Sequence, residues 1–126
     1  INKALKSLSA LRIKQENHAY GEEKAIFILY KRKEKGKYKI LTTIMKQHSE
    51  IKKLSDQLQN DLENEKNPTK NVRALQDLLK KHVSLEDKNF YPILEETFSK
   101  EEQKEIISKF NEVILMNIDI EGHKRG

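Results

Sequence analysis

An all-α bundle is the fold class this sequence predicts, on three observations. Only four glycines and two prolines punctuate 126 residues, and the remainder is rich in Leu, Ile, Lys and Glu, which propagate helices well. Apolar residues recur at alternating spacings of three and four, the period of a helix with one buried face. Two segments carrying that period echo each other 64 residues apart, His18 against His82 and Glu22 against Glu86. Such a duplication suggests two helix pairs about a pseudo-twofold axis. The expectation is an antiparallel up-down bundle, one domain over residues 1–120, with a loose tail at 121–126.

The first helix is predicted over roughly residues 2–32, with Leu8, Leu11, Gln15, His18, Glu22, Ala25 and Leu29 along its seam. Gly21 interrupts it, at a cost of about 1 kcal/mol for a helix interior. A loop follows at Gly36, and Leu41, Ile44, His48, Ile51, Ser55, Leu58 and Leu62 trace a second helix over roughly 37–64. Asn67-Pro68 then supplies a capping side chain and a proline where a missing N–H costs nothing. The third helix starts there, with the seam Val72, Leu75, Leu79, His82, Glu86, Asn89 and Ile93, and Pro92 is expected to kink or close it. Ser99-Lys-Glu-Glu102 has the form of a capping box and opens a fourth helix, with Ile106, Phe110, Val113 and Asn117 on its seam.

Several chemistries are excluded at once. The chain has no cysteine, so disulfides, thiolate nucleophiles and cysteine zinc sites are ruled out, and a reducing compartment fits. No apolar run approaches the ~18 residues of a membrane span, and the first residues do not open like a signal peptide. A soluble cytoplasmic protein is expected, with no membrane partner. The net charge of +5 is interleaved along helix faces as a solvated surface. The one dense cluster, KRKEKGKYK at residues 31–39, has a single Arg and surrounds Gly36. It reads as the flank of a loop rather than a nucleic-acid site. There is no G-x-S-x-G elbow, phosphate loop or H-E-x-x-H zinc motif. Glu22 and Glu86 are predicted inside a bundle, not in the open cleft that glycoside hydrolysis requires.

Three of the four histidines, His18, His48 and His82, lie mid-helix on three different apolar seams, whereas His123 falls in the tail. Two of the three have a glutamate one turn later on the same face, Glu22 and Glu86. That i, i+4 spacing stacks imidazole over carboxylate about 6 Å apart at Cβ, so both reach one centre. Buried imidazoles and carboxylates cost several kcal/mol unless paired or bound to a cation. The duplication also implies a gap. His48 lies 34 residues before His82, so its counterpart would lie 34 residues before His18, upstream of Ile1. One helix of the symmetric set, with its histidine, is therefore expected to be missing from this chain, and the fourth helix carries no ligand candidate.

The order His18 with Glu22, then His48, then His82 with Glu86 and the following FYPIL resembles the hemerythrin-like HHE cation-binding domain. The resemblance covers roughly residues 8–98, and FSKEEQKEIISKF is similar to the helix that often follows. It implies a four-helix bundle with a non-haem di-iron site, in which His18, His48 and His82 ligate iron and Glu22 and Glu86 bridge the ions. Two departures are visible. Ile44 and Lys52 flank His48, where the oxygen-carrying hemerythrins have a second histidine one turn away. The last ligand helix has a glutamate where those carriers use an aspartate. This version is more similar to the branches that repair iron-sulfur clusters or sense iron or oxygen. The implied function is a sensor of, or responder to, oxygen, nitric oxide or iron, with a small diatomic ligand as partner and no catalytic residue assigned.

Around the core set, Gln15 borders the pocket, and Glu23 and Asp87 are surface or outer groups, Asp87 placed to orient an imidazole. Tyr20 and Tyr91 read as packing residues, although a tyrosine near iron can donate a hydrogen bond to bound oxygen. Two other readings remain open. One is a metal-free helical interaction module whose polar seam residues set helix register. The other is a di-iron oxidase or peroxidase, which needs an access route that sequence does not reveal.

Overall fold

The computed structural model describes residues 2–34 and 39–125, with side chains as far as Leu115. The centre of the basic cluster, 35–38, lies outside the described residues, as do the side chains of Asn117 and His123. Four helical rods form the bundle, and no strand occurs among the described residues. The first rod joins α1 (Asn2–Gly21) through a π-helical turn (Glu22–Ile26) to α2 (Phe27–Lys33). The second is α3 (Lys39–Glu63). The third joins α4 (Thr69–Leu85) through another π-helical turn (Glu86–Phe90) to α5 (Tyr91–Thr97), and the fourth is α6 (Lys100–Arg125). α3 packs on α1 and α4, while α6 packs on α1 and α5, so each rod touches its two neighbours around a square. Short connections make those neighbours antiparallel.

The side for which the sequence implied a helix upstream of Ile1 is occupied by α6, so the described residues supply all four walls. The helix also runs on to Arg125, through the segment expected to be a loose tail. No proline interrupts residues 100–125, and the one glycine there, Gly122, is a tolerable cost.

The expected helix starts are made by the expected chemistry. Asn67 Oδ1 accepts from the Thr69 N–H at 3.1 Å and from the Thr69 hydroxyl at 2.8 Å. Ser99 and Glu102 form a reciprocal capping box: Glu102 Oε1 accepts from the Ser99 N–H at 2.9 Å, and Ser99 Oγ accepts from the Glu102 N–H at 3.1 Å. Arg12 on α1 ties the first rod to α3 by donating to Gln59 Oε1 at 2.6 Å and pairing with Asp56.

Two expectations fail for one reason. Asn89 is exposed while Phe90 is completely buried, and Ile26 and Tyr30 are more deeply buried than Leu29. In each rod a π-helical turn is closed by a bond spanning five residues, Phe27 N–H to Glu22 O and Tyr91 N–H to Glu86 O. The extra residue rotates everything downstream by about 100°, so the buried stripe moves on by one position. Pro92 does not close the third rod, which continues to Thr97. It stands at the start of α5, where the π turn hands over and one lost N–H is tolerated.

Two apolar clusters cap the bundle interior. One contains Ile26, Phe27, Tyr30, Leu41, Ile44, Phe90, Phe98 and Ile106. The other contains Leu8, Ile51, Leu58 and Leu75. His18, His48 and His82 each fall between a member of one cluster and a member of the other along their own rods, so the polar residues share a single layer.

Candidate metal centre

The layer between the two clusters brings together all five residues singled out from the sequence. His18 Nε2 lies 2.9 Å from Glu22 Oε1 and 3.4 Å from Glu86 Oε1. His82 Nε2 lies 2.9 Å from Glu86 Oε1, and His48 Nε2 lies 3.3 Å from Glu22 Oε1. One ligand-type atom from each of His18, Glu22, His82 and Glu86 fits within a mutual span of 4.8 Å. His48 joins them edge to face with His82, their ring centroids 4.8 Å apart.

Both π-helical turns begin at the site carboxylates, Glu22 and Glu86, and are themselves related by the 64-residue offset. The wider turn changes where the following residues point, so the rod can offer an inward carboxylate and still bury Ile26 or Phe90 one turn on. Gly21 has a specific use here. A Cβ added at residue 21 would lie 2.5 Å from Phe110 Cε2, so glycine lets the α6 ring close against this rod where a larger residue would push it away.

Burial makes the site chemically tense. Glu22 is 0% exposed, His82 2% and Glu86 3%. Six buried side-chain atoms among the described residues have no hydrogen-bond partner, and all six belong to this layer: both oxygens of Glu22, both ring nitrogens of His48, His82 Nε2 and Glu86 Oε2. Buried polar atoms are nearly always paired, and unpaired ones cost about 1–3 kcal/mol each. The approaches of His18 to Glu22 and of His82 to Glu86, both 2.9 Å, lack hydrogen-bond geometry. A cation among them satisfies donors of this kind at once, so the residues present fit a metal ion.

In the metal-free protein the carboxylate of Glu22, then that of Glu86, pushes the His18 pKa up to about 10. Burial pushes the Glu86 carboxyl up, but contacts from His18 and His82 outweigh it and hold Glu86 well below the usual carboxylate range. Tyr91 is held above its ordinary value, first by burial and then by the negative charges of Glu22 and Glu86.

Sequence reasoning missed Gln47. Its Oε1 lies 2.8 Å from His82 Nδ1, which fixes that nitrogen as the protonated one and leaves the Nε2 lone pair facing the site. The orienting role expected of Asp87 falls here instead, because Asp87 is exposed on the outer face of its turn. Gln47 immediately precedes His48, and that adjacency was the available signal. Glu23 Oε2 is 3.7 Å from His48 Nδ1. Gln15 borders openings on both sides of the layer, and Tyr20 and Tyr91 border one each.

A four-rod bundle with a buried His and Glu cluster at mid-height defines a metal-binding helical domain. The family model of the hemerythrin HHE cation-binding domain matches residues 1–94, and the chain belongs to that family. No curated protein and no solved structure matches the chain. No helix among the described residues is long and apolar enough to cross a membrane.

Proposed function

We propose that the protein binds non-haem iron as a pair of ions in this centre and uses it to respond to oxygen, nitric oxide or iron supply inside the cell. The observation that carries the reading is the set of six orphaned buried atoms on Glu22, His48, His82 and Glu86. Three imidazoles and two carboxylates without a thiolate suit iron among the common cellular metals. Held by these residues, iron would supply the redox and ligand-binding chemistry for a small diatomic molecule.

The protein's own residues do the rest. His18, His48 and His82 offer imidazole nitrogens, and Glu22 and Glu86 reach donors on either side of the layer. The clusters around Phe90 and around Leu75 exclude water from above and below. Tyr91, kept protonated by burial and by the neighbouring carboxylates, presents a hydrogen-bond donor at the cleft beside His18.

The test is an anaerobic ferrous titration with metal analysis, followed by admission of oxygen or nitric oxide. Iron uptake and a new near-ultraviolet or visible absorption on gas addition support the reading. Iron uptake with no spectral response to either gas removes the sensing half of it. Absence of uptake favours the metal-free interaction module, in which a protonated His18 pairs with Glu22 and Glu86.

A further inference from the structure

We propose that the centre is lopsided and that Phe110 makes it so: a divalent cation beside His48 and His82 is held firmly, whereas one beside His18 has fewer protein donors and exchanges through the cleft under α6. This rests on the metal-binding reading above.

The first and third rods are related by 64 residues, and shifting α3 by the same 64 gives 103–127, close to the span of α6 at Lys100–Arg125. α6 therefore stands where the pseudo-twofold axis places the partner of α3, one wall on each side of the layer. The two walls bring different chemistry. α3 sets His48 against His82 and puts Gln47 on His82 Nδ1. α6 sets Phe110 edge-on to His18, with ring centroids 6.1 Å apart. The position that the shift relates to His48 is Glu112, which is exposed and lies 3.9 Å from Lys109.

The donor count follows. Beside α3 stand two imidazoles, His48 at 3.3 Å from Glu22 and His82 at 2.9 Å from Glu86, and beside α6 stands one, His18, at 2.9 Å from Glu22 and 3.4 Å from Glu86. Exposure follows the same division: the side chains of His82 and His48 are 3% and 8% exposed, and that of His18 is 38%. A cleft of about 510 Å³ bounded by Lys14, Tyr91, Phe110 and Ile114 reaches His18 and the edges of His82 and Glu86, and of the two imidazoles His18 is the one it leaves substantially exposed. Phe110 fills the place of a fourth imidazole with an apolar edge. Gly21 makes room for the ring, since a Cβ there would lie 2.5 Å from Phe110 Cε2 and force it to shift. Fewer donors and open access both lower affinity and speed exchange.

The experiment is an anaerobic titration of the metal-free full chain with cobalt(II), whose visible absorption reports coordination, with calorimetry alongside. The expected result is one tightly held ion per chain and a second step about tenfold or more weaker. Phe110→His should tighten the second step about tenfold or more, so that two ions survive gel filtration, while Phe110→Leu should keep both steps within about threefold of wild type. Two wild-type steps of equal affinity overturn the proposal, as does a folded Phe110→His protein whose second step is unchanged. Should Phe110→His lose its helical circular dichroism, His18→Ala decides. Loss of the weaker step alone supports the proposal, and loss of the tighter step overturns it. No cobalt uptake by wild type defeats the metal-binding reading itself, an outcome distinct from uptake in two equal steps.

Discussion

The segments 18–30 and 82–94 carry the same motif, fold into the same turn and end in different surroundings. Each gives a histidine, a glutamate one turn later, a π-helical turn and a buried apolar residue at its end, Ile26 in one and Phe90 in the other. Yet His82 is nearly buried and oriented by Gln47, while His18 is partly open and faces a phenyl edge. The motif sets which atoms point inward, and the wall packed against it sets how firmly they are held. Local sequence and tertiary neighbours thus contribute separable parts of the site.

The comparison breaks most severely at its shared end. Phe90→Ala should cost about 3–5 kcal/mol, because a fully buried ring leaves a cavity in the larger cluster, whereas Ile26→Val at the equivalent position should cost about 0.5–1.5 kcal/mol. Urea midpoints of the two variants measure the difference. Next comes the orienting bond found on one side only. Gln47→Leu should weaken metal binding about 10- to 100-fold by releasing the His82 ring, read by chelator competition. A smaller effect is expected where α6 meets the first rod. Gly21→Ala should destabilise by about 1–2 kcal/mol through its clash with Phe110, and the loss should shrink in a Phe110→Ala background.

The smallest effect is a slope with pH in the metal-free protein. His18 binds its proton more tightly folded than unfolded, so its contribution is complete below the ordinary value of 6.5 and is lost as pH rises towards about 10. Glu86 acts in the opposite sense: its contribution is present above the ordinary 4.5 and is lost as pH falls further. Stability of the metal-free protein should therefore be greatest between those two ordinary values, and His18→Gln should flatten the alkaline side. Denaturant melts at a series of pH values test this. A metal ion must displace the same proton from His18, so metal affinity should rise with pH over the alkaline range.

Much of this was legible in the chain. The seams of α3 and of the residues before each π turn were readable because helical period and burial agree there, and Asn67 and Ser99 announced the starts of α4 and α6. That His18, Glu22, His48, His82 and Glu86 meet in one layer was readable because the helical period puts them on buried seams at matching depth. The burial of Phe90 in place of Asn89 was not, since a periodic reading assumes 3.6 residues per turn throughout and the π turns insert one more. Gly21 looked like a flaw in a helix. Only the packing of Phe110 from another rod gives it a purpose. Nor does any local pattern tell that α6 takes the wall opposite α3, because that depends on how four rods close a square.

The central claim is that His18, Glu22, His48, His82 and Glu86 are buried together because a cation joins them. The most direct measurement is the melting temperature of wild type and Glu86→Gln with and without ferrous iron under anaerobic conditions. A ligand at about 100 times its Kd adds about 2.7 kcal/mol. Iron should accordingly raise the wild-type melting temperature by several degrees and leave Glu86→Gln nearly unmoved. A wild-type melting temperature that iron does not change would contradict the account.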